Sequence, residues 1–143
     1  MKERVFVDTN VLVYADDLDA GEKRVRARAL LNEVLREQNG VLSTQVLQEF
    51  FVVTTRKLAV APAQARRKVE LLATLDVVTI QVSHILQAVD LNRLHSLSFW
   101  DRLILACAAA SGCTRLWSED MQHGAIIAGV RIENPFAETP ISV

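Results

Sequence analysis

The stretch Val5-Phe6-Val7-Asp8-Thr9-Asn10-Val11-Leu12-Val13-Tyr14 sets an acidic and hydrogen-bonding triplet into an otherwise apolar run close to the N-terminus. Consecutive β-branched and aromatic residues of this kind predict a buried strand, paired in parallel, that ends or turns near Asp8. In open α/β sheets chemistry gathers at the carboxyl ends of the strands, which makes Asp8 a candidate catalytic or metal-binding group. Asp, Thr and Asn after a strand also cap helices, so the same triplet predicts an N-cap at Asp8 or Thr9. Both readings stand at this point, and the rest of the chain has to separate them.

The chain has 143 residues, half of them apolar, which is enough for one compact domain with a real core. A net charge of -1 excludes a protein that is basic throughout, while leaving room for a local basic patch. No basic-then-apolar leader opens the sequence, and Asp8, Arg102 and other polar residues interrupt the apolar runs short of a membrane span. A soluble, cytoplasmic protein is expected. Cys107 and Cys113 have neither zinc-ribbon nor CxxC spacing, and read as core thiols.

Following the chain, Asp16-Asp17-Leu18-Asp19-Ala20-Gly21 is an acidic turn without the alternating ligands of an EF-hand, so a solvated loop is expected. Val25, Ala29, Leu30, Val34 and Leu35 predict a helix over 22–38, stopped by Asn39-Gly40. Gly40-Val41-Leu42-Ser43 is a second strand, after which Ser43 or Thr44 caps a helix over about 45–57. Glu49 falls at the edge of that helix's apolar face, placed either for a local pair with Arg56 or Lys57 or for a site. Pro62 suits the first turn of a helix over 63–75. A further strand over 76–82 leads to Ser83, a suitable cap for a helix over 84–95. His84 and His95 are too far apart to share a metal on one helix and read as structural or exposed.

Ser98 and Asp101 resemble a capping box ahead of a helix that is apolar almost all round and stopped by Gly112. A carboxylate there lies at the positive end of the helix dipole and can face a cleft. Thr114-Arg115-Leu116-Trp117 reads as a strand, followed at once by Ser118-Glu119-Asp120, whose bland reading is a capped turn before a short helix. Val130-Arg131-Ile132-Glu133-Asn134-Pro135 predicts a last edge strand ended by its proline, with a loosely held tail to Val143. No repeat or linker divides the chain, so residues 1–143 are expected to form one domain.

Asp8, Asp101 and Asp120 thus lie at strand ends or a helix start, with Glu49 on the helix after the second strand. With parallel strands and right-handed crossovers these places fall at one end of the sheet. Carboxylates gathered there repel one another and take up protons unless cations neutralise them. Oxygen-only ligands favour Mg²⁺ or Mn²⁺ over zinc, and such ions activate water and polarise phosphoryl oxygens. Metal-dependent phosphodiester hydrolysis is the resulting expectation. A haloacid-dehalogenase-type phosphatase would need a second Asp where Asn10 stands, and a response-regulator receiver would need an acidic pair at the first strand.

Taken together, Val7-Asp8-Thr9-Asn10-Val11-Leu12-Val13-Tyr14, Gln45-Val46-Leu47-Gln48-Glu49-Phe50, Phe99-Trp100-Asp101-Arg102-Leu103-Ile104-Leu105-Ala106 and Leu116-Trp117-Ser118-Glu119-Asp120-Met121 resemble PIN-domain nucleases, in particular the VapC-type toxins of bacterial toxin–antitoxin systems. The resemblance implies a single PIN-like α/β domain, a central parallel β-sheet flanked by α-helices, and a Mg²⁺- or Mn²⁺-dependent endoribonuclease. It implies Asp8 and Asp101 as principal metal ligands, Glu49 as a ligand or activator of water, and Asp120 as a direct or water-mediated ligand. Thr9 or Asn10 would support these by hydrogen bonding. It further implies a homodimer and a small antitoxin that inserts a segment near the active site.

Arg102 departs from the family pattern, where a small residue is commoner; a cation there pairs with Asp101, contacts RNA phosphate or meets the antitoxin. Glu119 beside Asp120 leaves two candidates for the fourth acid. Arg24, Arg26, Arg28, Arg56, Lys57, Arg93 and Arg115 are the cations available to position RNA, and no alternation of aromatic and basic residues marks a sequence-reading platform. The non-enzyme alternative is a PIN fold kept as a module for binding RNA or protein.

Overall fold

Three short strands rich in apolar residues build the centre of the sheet: β1 (Val5–Val7), β2 (Gly40–Ser43) and β4 (Arg115–Trp117). In β1 and β2 every residue is buried, the signature of parallel strands covered on both faces. The structure, a computed structural model, describes residues 2–94 and 96–137. The remaining strands are β3 (Asp76–Val78), β5 (Ile126–Ile127) and β6 (Val130–Glu133). The sheet order is β3-β2-β1-β4-β6-β5, with every neighbouring pair parallel except β5 with β6. The expected α/β class with a central parallel sheet is therefore correct, apart from the one antiparallel pair at the β5 edge.

Among the described residues six helices flank it: α1 (Thr9–Asp16), α2 (Glu22–Glu37), α3 (Thr44–Arg56), α4 (Pro62–Leu72), α5 (Val82–Asp90) and α6 (Phe99–Ala110). They pack as the pairs α1 with α2, α3 with α4 and α5 with α6. Phe6, Leu42, Leu105, Leu116 and Trp117 are among the fully buried side chains that join sheet to helices. Cys107 and Cys113 are buried and form no disulfide, and burial pushes both thiols up to about 11, as core thiols require.

From β1 the chain steps outward through β2 to β3, then returns to the other side of β1 for β4. The gap between β1 and β4 is thus the place where the winding reverses, and the crevice beyond their carboxyl ends is where such sheets place ligands. Asp8 follows β1 directly and Ser118 follows β4.

Several boundaries differ from those predicted. Gly40 does not stop a helix. Gln38 takes the left-handed turn at φ 54°, and Gly40 opens β2, where an added Cβ would meet Val34 at 3.1 Å. The expected strand over 76–82 ends at Val78 because Val82 opens α5, and the N-cap is Gln81, whose N–H donates to His84 Nδ1 at 2.9 Å, in place of Ser83. The expected helix over 84–95 ends at Asp90; His95 and the tail over 138–143 lie outside the described residues. Residues 130–135 do not form the edge. β6 is covered by the two-residue strand β5, joined to it through Ala128 and Gly129 at φ 53° and 79°. Two consecutive positive φ angles make a tight hairpin turn, and Ala-Gly lacks the Asn-Gly signature by which one is usually recognised.

Candidate active site

Asp8 caps α1, as one of its two sequence readings expects, and the same carboxylate lies beside the charges of Asp120 and Asp101. Its Oδ1 accepts the Thr9 N–H at 2.7 Å, while Oδ2 accepts from Ser118 Oγ at 2.7 Å and Asn10 Nδ2 at 3.3 Å. The residue is only 3% exposed. Burial raises its pKa most, the bonds from Ser118 and Thr9 lower it, and the charges of Asp120 and Asp101 raise it again, leaving it at about 6 against 3.8.

Thr9 Oγ1 reaches across to α3 and donates to Glu49 Oε2 at 3.2 Å, while Gln45 Nε2 donates to Glu49 Oε1 at 2.7 Å from one turn earlier. Glu49 is thereby bound to the start of α1, and the local pair with Arg56 or Lys57 does not form. Ser43, as N-cap of α3, accepts the Val46 N–H and sets the helix direction that carries Glu49 over the crevice.

Asp101 sits in the first turn of α6, where Ser98 Oγ accepts its N–H at 3.1 Å. Burial, then the Asp120 charge, raises the Asp101 pKa; the Ser98 hydroxyl lowers it and the Glu49 charge adds to the rise. Asp8 thus feels the charges of Asp120 and Asp101, and Asp101 those of Asp120 and Glu49, which brings the four carboxylates near one another beyond the carboxyl end of the sheet. Arg102 turns back, its Nε donating to the Ser98 carbonyl at 3.4 Å, and among the described residues it makes no ion pair with Asp101.

Asn10 links the two sides of the crevice. Its Nδ2 donates to Asp120 Oδ2 at 3.0 Å, and its Oδ1 accepts the Glu119 N–H at 3.2 Å. Glu119 itself faces away from the acids: Tyr14 donates to its Oε1 at 2.7 Å and Lys23 to its Oε2 at 2.6 Å. The Lys23 ammonium also lies 4.9 Å from the Tyr14 ring centroid. Burial raises the Glu119 pKa, but the contacts from Lys23 and Tyr14 more than reverse it, so the carboxyl lies below its usual range.

Two participants escaped the sequence reading. Ser118 is fully buried; its hydroxyl donates to Asp8 and accepts the Asp120 N–H at 3.2 Å, tying the acid after β4 to the acid after β1. A polar residue directly after a buried strand was the available signal. Gln45 is the other, and its only precursor was its position one turn before Glu49. Of the cations considered for RNA, Arg115 lies at the opposite end of β4, bonded to the buried Glu133 at 2.6 Å, and Arg26 bonds the Pro135 carbonyl.

Among the described residues no group of three or more Asp, Glu, His or Cys side chains is placed so that it could hold a metal ion as it stands. The donor set nevertheless fits a hard divalent cation: the facing groups are carboxylates, His and Cys are absent from among them, and a desolvated Asp8 beside two further charges lacks a neutralising partner.

The PIN-domain sequence pattern matches residues 5–126, from the first residue of β1 into β5, a span that contains all four acids. The chain belongs to the PIN-domain family. No curated protein matches it in sequence. In fold this PIN domain is similar to Mycobacterium tuberculosis VapC20, described as a sarcin-ricin loop cleaving toxin, with TM-score 0.66 and 20% identity over 80% of this chain and 88% of that one. It is similar also to a toxin–antitoxin complex from Klebsiella pneumoniae, with TM-score 0.69 and 23% identity over 92% and 98% of the two chains. VapBC2 from Rickettsia felis, bound to a DNA fragment from its promoter, gives TM-score 0.60 and 19% identity over 91% and 97%. At these identities the likeness establishes the shared PIN fold. Among the described residues of this PIN domain, no helix is long and apolar enough to cross a membrane.

Proposed function

We propose that this PIN-domain protein is a divalent-metal-dependent endoribonuclease, hydrolysing RNA phosphodiester bonds, and the toxin of a type II toxin–antitoxin pair. The observation that carries the reading is the Asp8 carboxylate, buried at 3% exposure beside the charges of Asp120 and Asp101. A site of that charge is completed by a cation, and Mg²⁺ or Mn²⁺ is the class its oxygen donors suit.

Asp8 and Asp101 would be the principal ligands, and Asp120 would hold the ion directly or through water. What the ion supplies when bound is Lewis-acid activation of water and polarisation of the phosphoryl oxygen. Glu49, with both oxygens oriented by Gln45 and Thr9, either joins the ligands or accepts the proton of the attacking water. Asn10 and Ser118 hold Asp8 and Asp120 in fixed relation, as groups behind metal ligands do.

The toxin assignment is supported by the fold shared with VapC20 and with toxin–antitoxin complexes. On this reading the protein acts in the cytoplasm as a homodimer, and a small antitoxin places a segment near the acids. Purified protein is expected to cleave RNA with Mg²⁺ or Mn²⁺ and to stop on addition of EDTA. Undiminished cleavage by Asp8→Asn or Asp101→Asn protein would remove the proposed site. Folded protein that binds RNA without cleaving it in either metal would favour the binding-module alternative.

A further inference from the structure

Gln45 carries an unmet hydrogen-bonding atom beside the acids. It stands in the first turn of α3, two residues past the end of β2, and is only 8% exposed. Its Nε2 donates to Glu49 Oε1 at 2.7 Å, one turn further on. Its Oε1 is shielded from solvent and has no donor among the described residues. Turning the amide over gives no relief, because Oε1 would then face the Glu49 carboxylate, acceptor against acceptor. A buried carbonyl oxygen without a donor is destabilising, and an apolar side chain of the same length would not carry that cost. What the amide gains in return is its hold on Glu49.

Glu49 differs from Asp8 in how its charge is met. Asp8 is buried beside the charges of Asp120 and Asp101. Glu49 is exposed, and each of its oxygens accepts from a neutral donor, Oε1 from Gln45 and Oε2 from Thr9 at 3.2 Å. A buried charge calls for a counter-ion, whereas an exposed and hydrogen-bonded one is already compensated. The two donors come from different helices, α3 and α1, and hold the carboxylate from both ends, while each oxygen keeps a lone pair for a further donor.

We propose that Gln45 is a positioning residue kept at a cost in stability: it turns the Glu49 carboxylate so that Glu49 meets the attacking water and is not a direct ligand of the cation. Resting on the nuclease reading above, this selects proton acceptance from the two roles open to Glu49. One proton of the water passes to a free lone pair of Glu49 as the water oxygen bonds to phosphorus. The bond from phosphorus to the leaving ribose oxygen breaks with its electron pair, and that oxygen takes a proton from solvent.

Gln45→Met removes the amide and keeps the length of the side chain. In EDTA its melting temperature is expected to equal or exceed that of the wild type, since the orphaned carbonyl is gone and water replaces the lost donor at the exposed Glu49. Its gain in melting temperature in saturating Mn²⁺ is expected to persist. Its kcat is expected to fall by up to about a hundredfold, the loss that a misplacement of about 1 Å can bring, with KM for RNA unchanged. Glu49→Gln is likewise expected to keep the Mn²⁺ shift and lose kcat. A cycle without substrate reads the pairing itself: with Glu49→Ala in place Gln45 has lost the partner of its amide, so Gln45→Met is expected to raise the melting temperature further than it does in the wild-type background.

Loss of the Mn²⁺ shift in Glu49→Gln would make Glu49 a direct ligand and overturn the assignment. So would an unchanged kcat in Gln45→Met, a Gln45→Met protein less stable than the wild type in EDTA, or an effect of Gln45→Met on melting that is the same with and without Glu49. If the wild type cleaves no RNA in either metal, the nuclease reading falls, while the melting cycle still decides whether Gln45 is held for Glu49.

Discussion

Asn10 and Asp120 are joined across the crevice between β1 and β4: the Asn10 amide donates to Asp120 at 3.0 Å and accepts the Glu119 N–H at 3.2 Å. The same amide nitrogen lies 3.3 Å from Asp8 Oδ2. A neutral side chain with both donors and an acceptor thus sits between two carboxylates that would otherwise repel, and holds the loop after β4 against the start of α1.

Asn10→Ala removes these contacts without touching the acids. Groups behind metal ligands contribute about 10–100-fold to metal affinity or activity, and a loss in that range is expected here. It is measured as a rightward shift in the Mn²⁺ concentration that half-activates cleavage. An unchanged Mn²⁺ dependence would mean that Asp120 needs no such tether.

The buried Asp8 makes a prediction with a definite sign. Its pKa is about 6 in the folded chain against 3.8 without the fold. Between those values the folded protein keeps a proton that the unfolded chain has released, so this group's contribution to stability falls as pH rises through that window. Above it, ionised Asp8 costs the metal-free fold on the order of 3 kcal/mol. Asp8→Asn is therefore expected to be more stable than the wild type in EDTA at neutral pH, by up to about that amount, and to lose the advantage below pH ~4. Urea denaturation from acid to neutral pH measures it, and a constant difference across the series would contradict the assignment.

Glu119 and Asp120 are neighbours with separate partners, Tyr14 and Lys23 for the first and Asn10 for the second. Glu119→Gln weakens a contact with Lys23 that is partly open to solvent, their side chains being 24% and 45% exposed. The expected cost is about 1 kcal/mol or less, with cleavage retained. Asp120→Asn is expected to leave stability nearly unchanged and to lower cleavage at least tenfold, because Asp120 is exposed and faces the other acids. Equal loss of cleavage in both variants would return Glu119 to the candidates.

How far the sequence carried this reading depends on the kind of feature. Consecutive apolar residues at β1 and in β2 reported burial on both faces and so the parallel sheet, and acids close after β1 and β4 reported the end at which they lie. Partner choice was not legible. That Glu119 turns to Tyr14 and Lys23, while Asp120 turns to Asn10, depends on contacts between residues about a hundred positions apart, and no local pattern encodes it. The hairpin of β5 and β6 was hidden for a different reason: Ala128 takes a positive φ that alanine seldom adopts, so the turn lacked its usual residues. Ser118 was visible as a residue and invisible as a role, since its importance comes from the two acids it bonds.

The proposed cation can be tested thermodynamically, without substrate. A ligand that binds only the folded state stabilises it by about 2.7 kcal/mol at a hundredfold excess over its dissociation constant. For a domain of this size that corresponds to roughly 5–10 °C in melting temperature. Metal-free wild type is expected to gain such a shift in saturating Mn²⁺ and to lose it in EDTA. Asp101→Asn is the discriminating variant: Asp101 lies on α6, half-exposed, and Ser98 caps the helix through the backbone N–H, which the substitution preserves. Its metal-free melting temperature should stay within a few degrees of the wild type, about the scatter of surface substitutions. Its Mn²⁺ shift should nevertheless collapse, because a cation held by Asp8 and Asp101 together loses one of its two principal charges. A full shift retained in both Asp101→Asn and Asp8→Asn would mean that the cation stabilising the protein binds elsewhere.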